Sequence, residues 1–528
     1  MRHGRTVVRK LISGSVVVVL VGAGIAVYGQ TAQSDPIARA AEALGGRSRL
    51  LAVRTLTVEG YGQLAAQNGG GNLTTSPDAP MKWTDVNDYV QVIELANGRM
   101  RVRQTQAADF VAATLQRMRG TVSTQALDGD VAFNIDGQGR ATRASAAAAR
   151  DRRLDMHAHP IVAVRAALDP TSRVSNRRAS GGRQLVDVTI AQGDTFTLAV
   201  DDKSGLPAWV SWVGPDGNLG DLTYRAHFTG YEPVGGLRMP TGINTTIDFR
   251  DVVQWKLHID RHAVDAPIPD LAAPDAVRTA APQAPRPPVI EATQLAKGVW
   301  FLAGQGNSTL FEFDDHLTLF EAYGSEANGQ AIIAKAKSLV PGKPLTELIV
   351  SHHHFDHTGG FRAAVAEGLT IIAATGNEDF LREIASRPAK LFPDALGPNP
   401  RPIRIRTVDD HLTLKDGSME IDVYRVMANS HMADALMVHM PRERLLSQGD
   451  LFDVGWVAYW WGTSYIDNVR YRKIEVERDV PVHGRVLPFA EVQQLIAKQI
   501  KNAQDFCTEV AAARLSMRGC PVKTTVDR

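Results

Sequence analysis

The sequence predicts two folded parts, a mostly antiparallel β domain with helices followed by a layered α/β domain. The first half alternates polar and apolar residues between Gly-containing turns, whereas the second half alternates short apolar strands with amphipathic helices. A Pro/Ala-rich stretch separates the halves, and 528 residues exceed one ordinary domain. The predicted divisions are a signal peptide or N-terminal anchor at 1–32, a β-rich N-terminal domain at 35–271, a linker at 272–288, an α/β domain at 289–505 and a C-terminal tail at 506–528.

The N-terminal segment has the three-part pattern of a secretory signal peptide. Basic residues among the first ten precede an uncharged apolar run at 11–28, and a polar stretch follows. An uncleaved membrane anchor is the alternative, because the apolar run approaches spanning length. Both interpretations predict that the body of the protein is periplasmic or secreted.

Composition narrows the possible partners. The chain is 44% hydrophobic and 22% charged, which is typical of a globular protein, and its formal net charge is +1. This balance disfavours nucleic acid as a partner. The two cysteines, Cys507 and Cys520, would lie about 20 Å apart on one straight helix. A disulfide therefore requires the chain to turn between them, and two free thiols are the alternative.

Strand patterns dominate the first half. Segments at 54–64, 89–105, 184–202 and 243–260 alternate with period two, and helices are predicted at 37–46 and at 141–168 with an interruption near Pro160. The stretches DDKSGLPAWVSW and FTGYEPVGGLRMPTGI resemble the periplasmic lipoprotein-carrier-like sheet domains. The histidines of this half show no ligand spacing and are predicted to be structural: His157, His159, His227, His258 and His262.

The second half contains the densest histidine cluster, in the segment SHHHFDHTGG at 351–360. His352 and His354 alternate to one side at the end of the predicted strand LTELIVSH, and Asp356 and His357 follow where the chain leaves it. Imidazole and carboxylate groups are ligands of borderline cations such as zinc. His353 points to the opposite side and is predicted not to be a ligand.

One loop cannot complete two coordination spheres, so later residues must contribute. His431, Asp450 and His483 each follow a predicted strand, in the segments NSHMAD, SQGDLF and PVHGRV. Strand ends are where α/β sheets gather functional groups. His411 and His439 lie in strand-like contexts and are predicted to be structural.

The four segments, in this order, resemble the metallo-β-lactamase-fold hydrolase superfamily over about residues 289–500. The resemblance implies a four-layer αββα sandwich with two divalent metal ions at one edge, zinc first and iron or manganese as alternatives. It assigns the first metal to His352, His354 and His431, and the second to Asp356, His357 and His483. Asp450 would bridge both ions.

The segments depart from the family pattern in two places. Met432 stands where relatives have threonine, and Glu321 stands where they often have aspartate. Asp434 is retained, and we expect it to orient a ligand. The predicted ligand set is unaffected by either change.

This ligand set predicts an exported hydrolase in which a metal-bridging hydroxide attacks a small-molecule substrate, without a covalent intermediate. Asp356 is the predicted catalytic residue, orienting the hydroxide or returning a proton to the leaving group. The bridging Asp450 is similar to the glyoxalase II, lactonase and phosphodiesterase branches, which ranks ester, lactone or thioester hydrolysis above β-lactam cleavage. An envelope lipid- or peptide-binding protein with a metal-stabilised domain is the alternative of another class. Candidate substrate-facing aromatics are Trp456, Tyr459, Trp460 and Trp461.

Overall fold

The structure, a computed structural model, describes residues 35–65, 72–79, 81–108, 120–513 and 520. The predicted signal peptide or anchor at 1–32 lies outside these residues. From Pro36 onward the described chain forms one compact unit. No helix in the described ranges is long and apolar enough to cross a membrane.

The N-terminal half is built from long strands and a few short helices. Helices α1 to α5 are Pro36–Ala43, Arg47–Ala52, Ala146–His157, Pro160–Leu168 and Asp275–Thr279. Strands β1 to β8 are Thr55–Ala65, Trp83–Glu94, Arg99–Ala108, Thr121–Asp128, Val131–Ile135, Ala141–Arg143, Arg173–Ser180 and Arg183–Thr189. Strands β9 to β15 are Thr195–Asp201, Pro207–Asp216, Gly220–Thr229, Glu232–Val234, Leu237–Met239, Gly242–Ile247 and Val253–Val264.

Thirteen of these strands form one antiparallel sheet, in the order β6-β5-β4-β3-β2-β1-β15-β14-β11-β10-β9-β8-β7. Helices α1 to α4 bury apolar residues against it, in a core that includes Leu44, Leu154 and Ile161. The predicted helix at 141–168 was wrong in its first residues, because 141–143 pair with β5 instead. Ser145 then caps α3 by accepting from the Ala148 amide, so the helix starts only at 146. Within the predicted linker, α5 buries Val277.

The C-terminal half alternates strands and helices. Strands β16 to β22 are Glu291–Ala296, Val299–Ala303, Asn307–Glu312, Leu317–Phe320, Leu345–Ile349, Thr370–Ala374 and Arg404–Val408. Strands β23 to β28 are His411–Lys415, Glu420–Arg425, Leu436–Met440, Leu445–Gln448, Arg478–Pro481 and Leu487–Pro488. Helices α6 to α10 are Glu326–Leu339, Phe361–Ala366, Glu378–Ser386, Gly462–Arg472 and Phe489–Ala512.

These elements form the predicted four-layer sandwich. Strands β16 to β22 make a seven-stranded sheet and β23 to β28 a six-stranded sheet. An apolar layer shared by the two sheets contains Phe311, Phe320 and Ile349 from the first and Ile421, Val438 and Leu445 from the second. Helices α6 to α8 cover the outer face of the first sheet, and α9 and α10 cover that of the second. The αββα prediction is therefore confirmed.

The two halves pack directly on one another. The Asp221 carboxylate, at the start of β11, accepts from the backbone amides of residues 390–392 at 2.8–2.9 Å. Leu222 and Phe249 join the apolar core around α6 to α8. A Cβ on Gly220, which has φ +65°, would collide with the Pro388 carbonyl. These contacts fix a loop of the N-terminal half beside the C-terminal sandwich.

At the C-terminal end, helix α10 runs across the predicted boundary at 505. Cys507 lies on this helix and forms a disulfide with Cys520, with a Cα–Cα distance of 5.3 Å. The chain thus turns between the two cysteines, which settles the alternatives that the sequence left open in favour of a bond.

Candidate metal centre

The loop after β20 carries four of the seven predicted ligands. His352, His354 and His357 are almost fully buried, whereas the Asp356 side chain is 44% exposed. The loop leads directly into α7, and a Cβ on Gly359 or Gly360 would collide with the Gly324 or Ala322 carbonyl. The two glycines therefore let the loop pass close to the residues that follow β19.

The other three predicted ligands follow strands of the second sheet. His431 lies between β24 and β25, Asp450 comes directly after β26, and His483 comes directly after β27. Asp450 has φ +59°, a left-handed conformation that costs a non-glycine residue on the order of 1 kcal/mol. The Gln448 side chain holds this turn by accepting from the Leu451 amide at 2.9 Å. The strained turn aims a carboxylate at the loop after β20.

The seven side chains come together as two groups that share Asp450. One group is His352, His354, His431 and Asp450, and the other is Asp356, His357, Asp450 and His483; within each group the donor atoms lie within 4.8 Å of one another. Asp450 Oδ2 is 3.0 Å from His431 Nε2, and Asp450 Oδ1 is 3.0 Å from His483 Nε2. Each carboxylate oxygen of Asp450 therefore faces a different group.

Two donor atoms at the centre lack a hydrogen-bond partner. Asp450 Oδ1 and His357 Nε2 are buried and only 3.2 Å apart, yet neither has a partner with hydrogen-bond geometry in the described chain. His352 Nε2 and His354 Nδ1 converge to 3.0 Å, within hydrogen-bond distance. A buried cluster of nitrogen and oxygen donors in which two atoms have no hydrogen-bond partner fits a pair of divalent metal ions.

Protonation equilibria at the centre follow from burial and from the shared carboxylates. Burial lowers the pKa of His352 and His354 well below its usual range, and neighbouring imidazoles add to the effect. Burial also opposes the charge on His357, but Asp450, Asp356 and Glu321 outweigh it and raise its pKa well above the usual range. Desolvation is likewise outweighed at Asp450, whose pKa is lowered by His357. Without metal, the carboxylates of Asp450, Asp356 and Glu321 therefore favour protonation of His357.

Glu321 contacts the ligand loop at Ser351 and His357. Glu321 follows β19 with φ +69° and is fully buried. One carboxylate oxygen accepts from the Ser351 amide at 2.6 Å, and the other lies 3.3 Å from His357 Nδ1. That second oxygen makes no hydrogen bond in the described chain, so its effect on His357 is electrostatic and favours the protonated ring.

The N-terminal half contributes a backbone carbonyl to the centre. The Asn72 carbonyl oxygen lies 2.9 Å from His353 Nε2 and 2.9 Å from His354 Nε2. A carbonyl can only accept, so both nitrogens carry hydrogen and His354 presents its Nδ1 lone pair toward His352. The Leu73 carbonyl accepts from the Ala433 amide at 2.8 Å, which ties the same segment to the His431 loop. His353, predicted not to be a ligand, lies outside both donor groups and bonds this segment instead.

Aromatic side chains border the donors. The Tyr323 hydroxyl donates to Asp356 Oδ2 at 3.2 Å, and its ring contacts the His357 and His483 rings edge-on. Trp461 stacks on His431 with a centroid separation of 4.6 Å, and Trp456 contacts both rings. Tyr323 was missed in the sequence, where its only signal was its place two residues after Glu321.

Asp434 differs from its expected role of orienting a ligand. Its carboxylate accepts from Arg425 at 2.7 Å, and its backbone carbonyl accepts from the Asn377 side chain. No hydrogen bond found among the described residues joins Asp434 to a predicted ligand. Asp434 instead forms an ion pair with Arg425, a residue of β24.

Comparison with known proteins finds similarity in the C-terminal half of the chain. Residues 302–454 match the metallo-beta-lactamase superfamily. Solved structures similar to this chain include a metallo-beta-lactamase from Pontibacter korlensis, at 16% identity over 40% of this chain and 100% of that chain, TM-score 0.32. The DIM-1 metallo-beta-lactamase is 16% identical over 41% of this chain and 99% of that chain, TM-score 0.32. The inverting sec-alkylsulfatase Pisa1 from Pseudomonas sp. is 13% identical over 43% of this chain and 44% of that chain, TM-score 0.32.

No curated protein matches the sequence. The family match spans the histidine-rich loop, the His431 loop and Asp450, and these residues lie in the αββα sandwich described above. Residues 302–454, within the αββα sandwich, therefore match the metallo-beta-lactamase superfamily, and the His/Asp groups gathered there could hold metal.

Proposed function

We propose that the protein is a dinuclear metallohydrolase that acts on an ester, lactone or thioester-like small molecule outside the cytoplasm. The observation that carries the proposal is Asp450, whose two oxygens lie 3.0 Å from a histidine of each donor group. A structural metal needs only four closed ligands, whereas seven donors around one shared carboxylate suit two ions with open positions.

In this proposal His352, His354 and His431 hold one ion, and Asp356, His357 and His483 hold the other, with Asp450 common to both. When bound, the two cations supply Lewis acidity and a water of lowered pKa. Zinc suits the histidine-rich donor set, and the carboxylates also accept iron or manganese. The Asn72 carbonyl holds His354 in its ligating orientation, and the Glu321 carboxylate lies 3.3 Å from His357 Nδ1.

Asp356 and Tyr323 are the groups best placed to move or hold protons. Half-exposed Asp356 can orient the attacking water and return its proton to the leaving group. Burial and the Asp356 carboxylate raise the pKa of Tyr323 above its usual range, so its hydroxyl stays protonated. We assign it a hydrogen bond to oxygen that becomes negative during the attack.

The substrate class rests on Asp450, the feature that ranks ester, lactone and thioester bonds above β-lactams. Trp456 and Trp461, beside His431, would contact an apolar part of the substrate. The main alternative is β-lactam hydrolysis, which Asp450 disfavours because most true β-lactamases of this fold are expected to lack the bridging aspartate.

Export is the second part of the proposal. It is supported by the three-part pattern at 1–32 and by the Cys507–Cys520 disulfide, since disulfides persist in oxidising compartments. Cell fractionation with N-terminal sequencing of the mature chain tests it. A protein recovered in the cytoplasm with reduced cysteines would contradict export.

The experiment that tests the activity combines metal analysis with a substrate panel of lactones, thioesters, phosphodiesters and cephalosporins. We expect two equivalents of metal, and turnover of an ester-like member that is lost on chelation and restored by zinc. Asp356→Ala should abolish turnover, whereas Asp434→Ala, away from the donors, should keep it. A folded protein that stays active without metal would refute the proposal, and a metal-loaded protein inactive on the whole panel would favour the lipid- or peptide-binding alternative.

A further inference from the structure

A cavity of about 410 Å³ lies in the N-terminal half, between the thirteen-stranded sheet and helix α3. Its lining comes mainly from β1 to β4, β10, β11, β14, β15 and α3 and includes none of the seven metal-site residues. Cavities of about 300–1,000 Å³ are the usual size of small-molecule sites. Nothing in the proposed hydrolysis uses this space.

Two aromatic pairs form the walls of the cavity. Trp212 and Tyr224 stack with a centroid separation of 5.7 Å, and Tyr89 and Trp255 also lie 5.7 Å apart. Met100, Ile243 and Leu257 complete an apolar surface between them. These walls suit a ligand with an apolar body.

Asp155 provides a carboxyl group inside the cavity. Its side chain is open to the cavity, and within the described chain that side chain has neither an ion-pair partner nor a hydrogen bond. Arg152, which also lines the cavity, donates to the Ala126 and Phe133 carbonyls, each at 2.8 Å. Desolvation in the cavity, and secondarily Asp151, raises the pKa of Asp155 to about 7. An incoming cation would favour the ionised carboxylate.

The cavity aromatics differ from aromatics elsewhere on the same sheet. Arg225 lies 4.7 Å above the Trp209 ring, and Lys256 lies 3.9 Å above the Trp83 ring. No described lysine or arginine covers the rings of Tyr89, Trp212, Tyr224 or Trp255 in this way. The attraction of these rings for a cation is therefore not already used by a described lysine or arginine.

Tyr89 adds a polar group to the cavity wall. The residue is 8% exposed, lines the cavity, and has no hydrogen bond from its hydroxyl to any residue in the described ranges. This hydroxyl is therefore available to a polar group of a ligand.

We infer that this cavity binds an amphiphilic organic amine in its protonated form. The ammonium group pairs with Asp155 between the aromatic rings, and the apolar body lies along Met100, Ile243 and Leu257. The inference concerns a second site and does not depend on which bond the metal centre cleaves.

The test measures binding of three matched probes to the full-length protein by calorimetry: decylammonium, decanol and decanoate, each below its micelle concentration. We expect decylammonium to bind about tenfold more tightly than decanol, with decanoate weakest. Asp155→Asn should remove the preference for the amine, and Trp212→Leu should weaken all three ligands. Asp151→Asn is the control: Asp151 also lines the cavity but pairs with Arg150 and raises the pKa of Asp155, so its loss should keep or strengthen the preference.

Binding at the metal centre is separated by Asp450→Asn, which should leave decylammonium affinity unchanged. Decanoate or decanol binding as tightly as decylammonium would overturn the inference, and so would an unchanged preference in Asp155→Asn. If that variant does not fold, the order of the three affinities in the natural protein and in Asp151→Asn decides the question.

Discussion

Each half of the molecule contains neighbouring buried histidines, but only those of the C-terminal half lie beside carboxylates. At the metal centre, five predicted ligand imidazoles surround carboxylates, and His357 Nε2 lies 3.2 Å from Asp450. In the N-terminal half, His159 Nε2 and His262 Nε2 lie 3.4 Å apart and both rings are buried. The described residues place no carboxylate beside this pair within ion-pair distance.

The difference shows what separates a metal centre from packed histidines. Burial lowers the pKa of His262 to about 4 and lowers that of His159 well below its usual range, so both rings are neutral and one can donate to the other. At the metal centre the carboxylates reverse the effect of burial for His357. Both histidine groups are buried and closely packed. Only the group in the C-terminal half also contains carboxylates, whose negative charge a cation can neutralise.

The variant expected to have the largest effect is Asp450→Asn, which removes the negative charge shared by the two donor groups and keeps the shape of the side chain. We expect loss of at least one metal equivalent and a fall in turnover of roughly a thousandfold or more, because both donor groups lose their common anion. Metal analysis and steady-state kinetics measure the two effects. His262→Leu is the control and should keep metal and activity; full metal occupancy in Asp450→Asn would contradict the assignment.

Low pH should reduce the folding stability that depends on the neutral His159–His262 pair. Because the pKa of His262 is about 4 when folded and near 6.5 when unfolded, its contribution is intact above pH 6.5 and is lost as pH falls toward 4. Between pH 7 and pH 5 this loss is about 2 kcal/mol. His262→Leu should flatten the pH dependence of the unfolding free energy by that amount, measured in denaturant. Identical slopes for both proteins would contradict a neutral buried ring.

The contact from the N-terminal half can be tested with His353→Phe. Loss of the hydrogen bond to the Asn72 carbonyl should loosen His354 and weaken metal affinity by roughly tenfold to a hundredfold, as for other partners of ligand histidines. Competition with a chelator measures the affinity. His439→Phe is the matched control, because His439 is also buried and bonds a backbone carbonyl, that of Glu475. Equal affinities in the two variants would show that His353 only fills space.

The smallest expected effect concerns the second role of His159. Its Nδ1 accepts from the Ile161 amide and caps helix α4. His159→Ala should lose about 1 kcal/mol of capping in addition to packing, whereas His159→Asn can keep the cap. Denaturant unfolding compares the two variants, and neither should change metal content. Equal stability of the two would show that the ring acts by packing alone.

Several features were predictable because they depend on neighbours in the chain. The spacing of His352, His354, Asp356 and His357 at a strand end follows from local geometry, as do most strands of the first sheet. The helix expected from 141 begins late because residues 141–143 find a strand partner in β5. Asp434 pairs with Arg425, a choice that depends on side-chain packing and not on spacing.

The sequence by itself determined a layered α/β domain, the dense donor loop and the order of the later donors, since period, strand ends and residue chemistry are local properties. The four-layer αββα arrangement was an expectation from the family resemblance. Only the tertiary structure decided that Asn72 approaches His354, that Tyr323 reaches Asp356, that Cys507 meets Cys520 and that Asp155 opens into a cavity. These are contacts between distant parts of the chain, and their formation depends on how whole sheets and helices pack together.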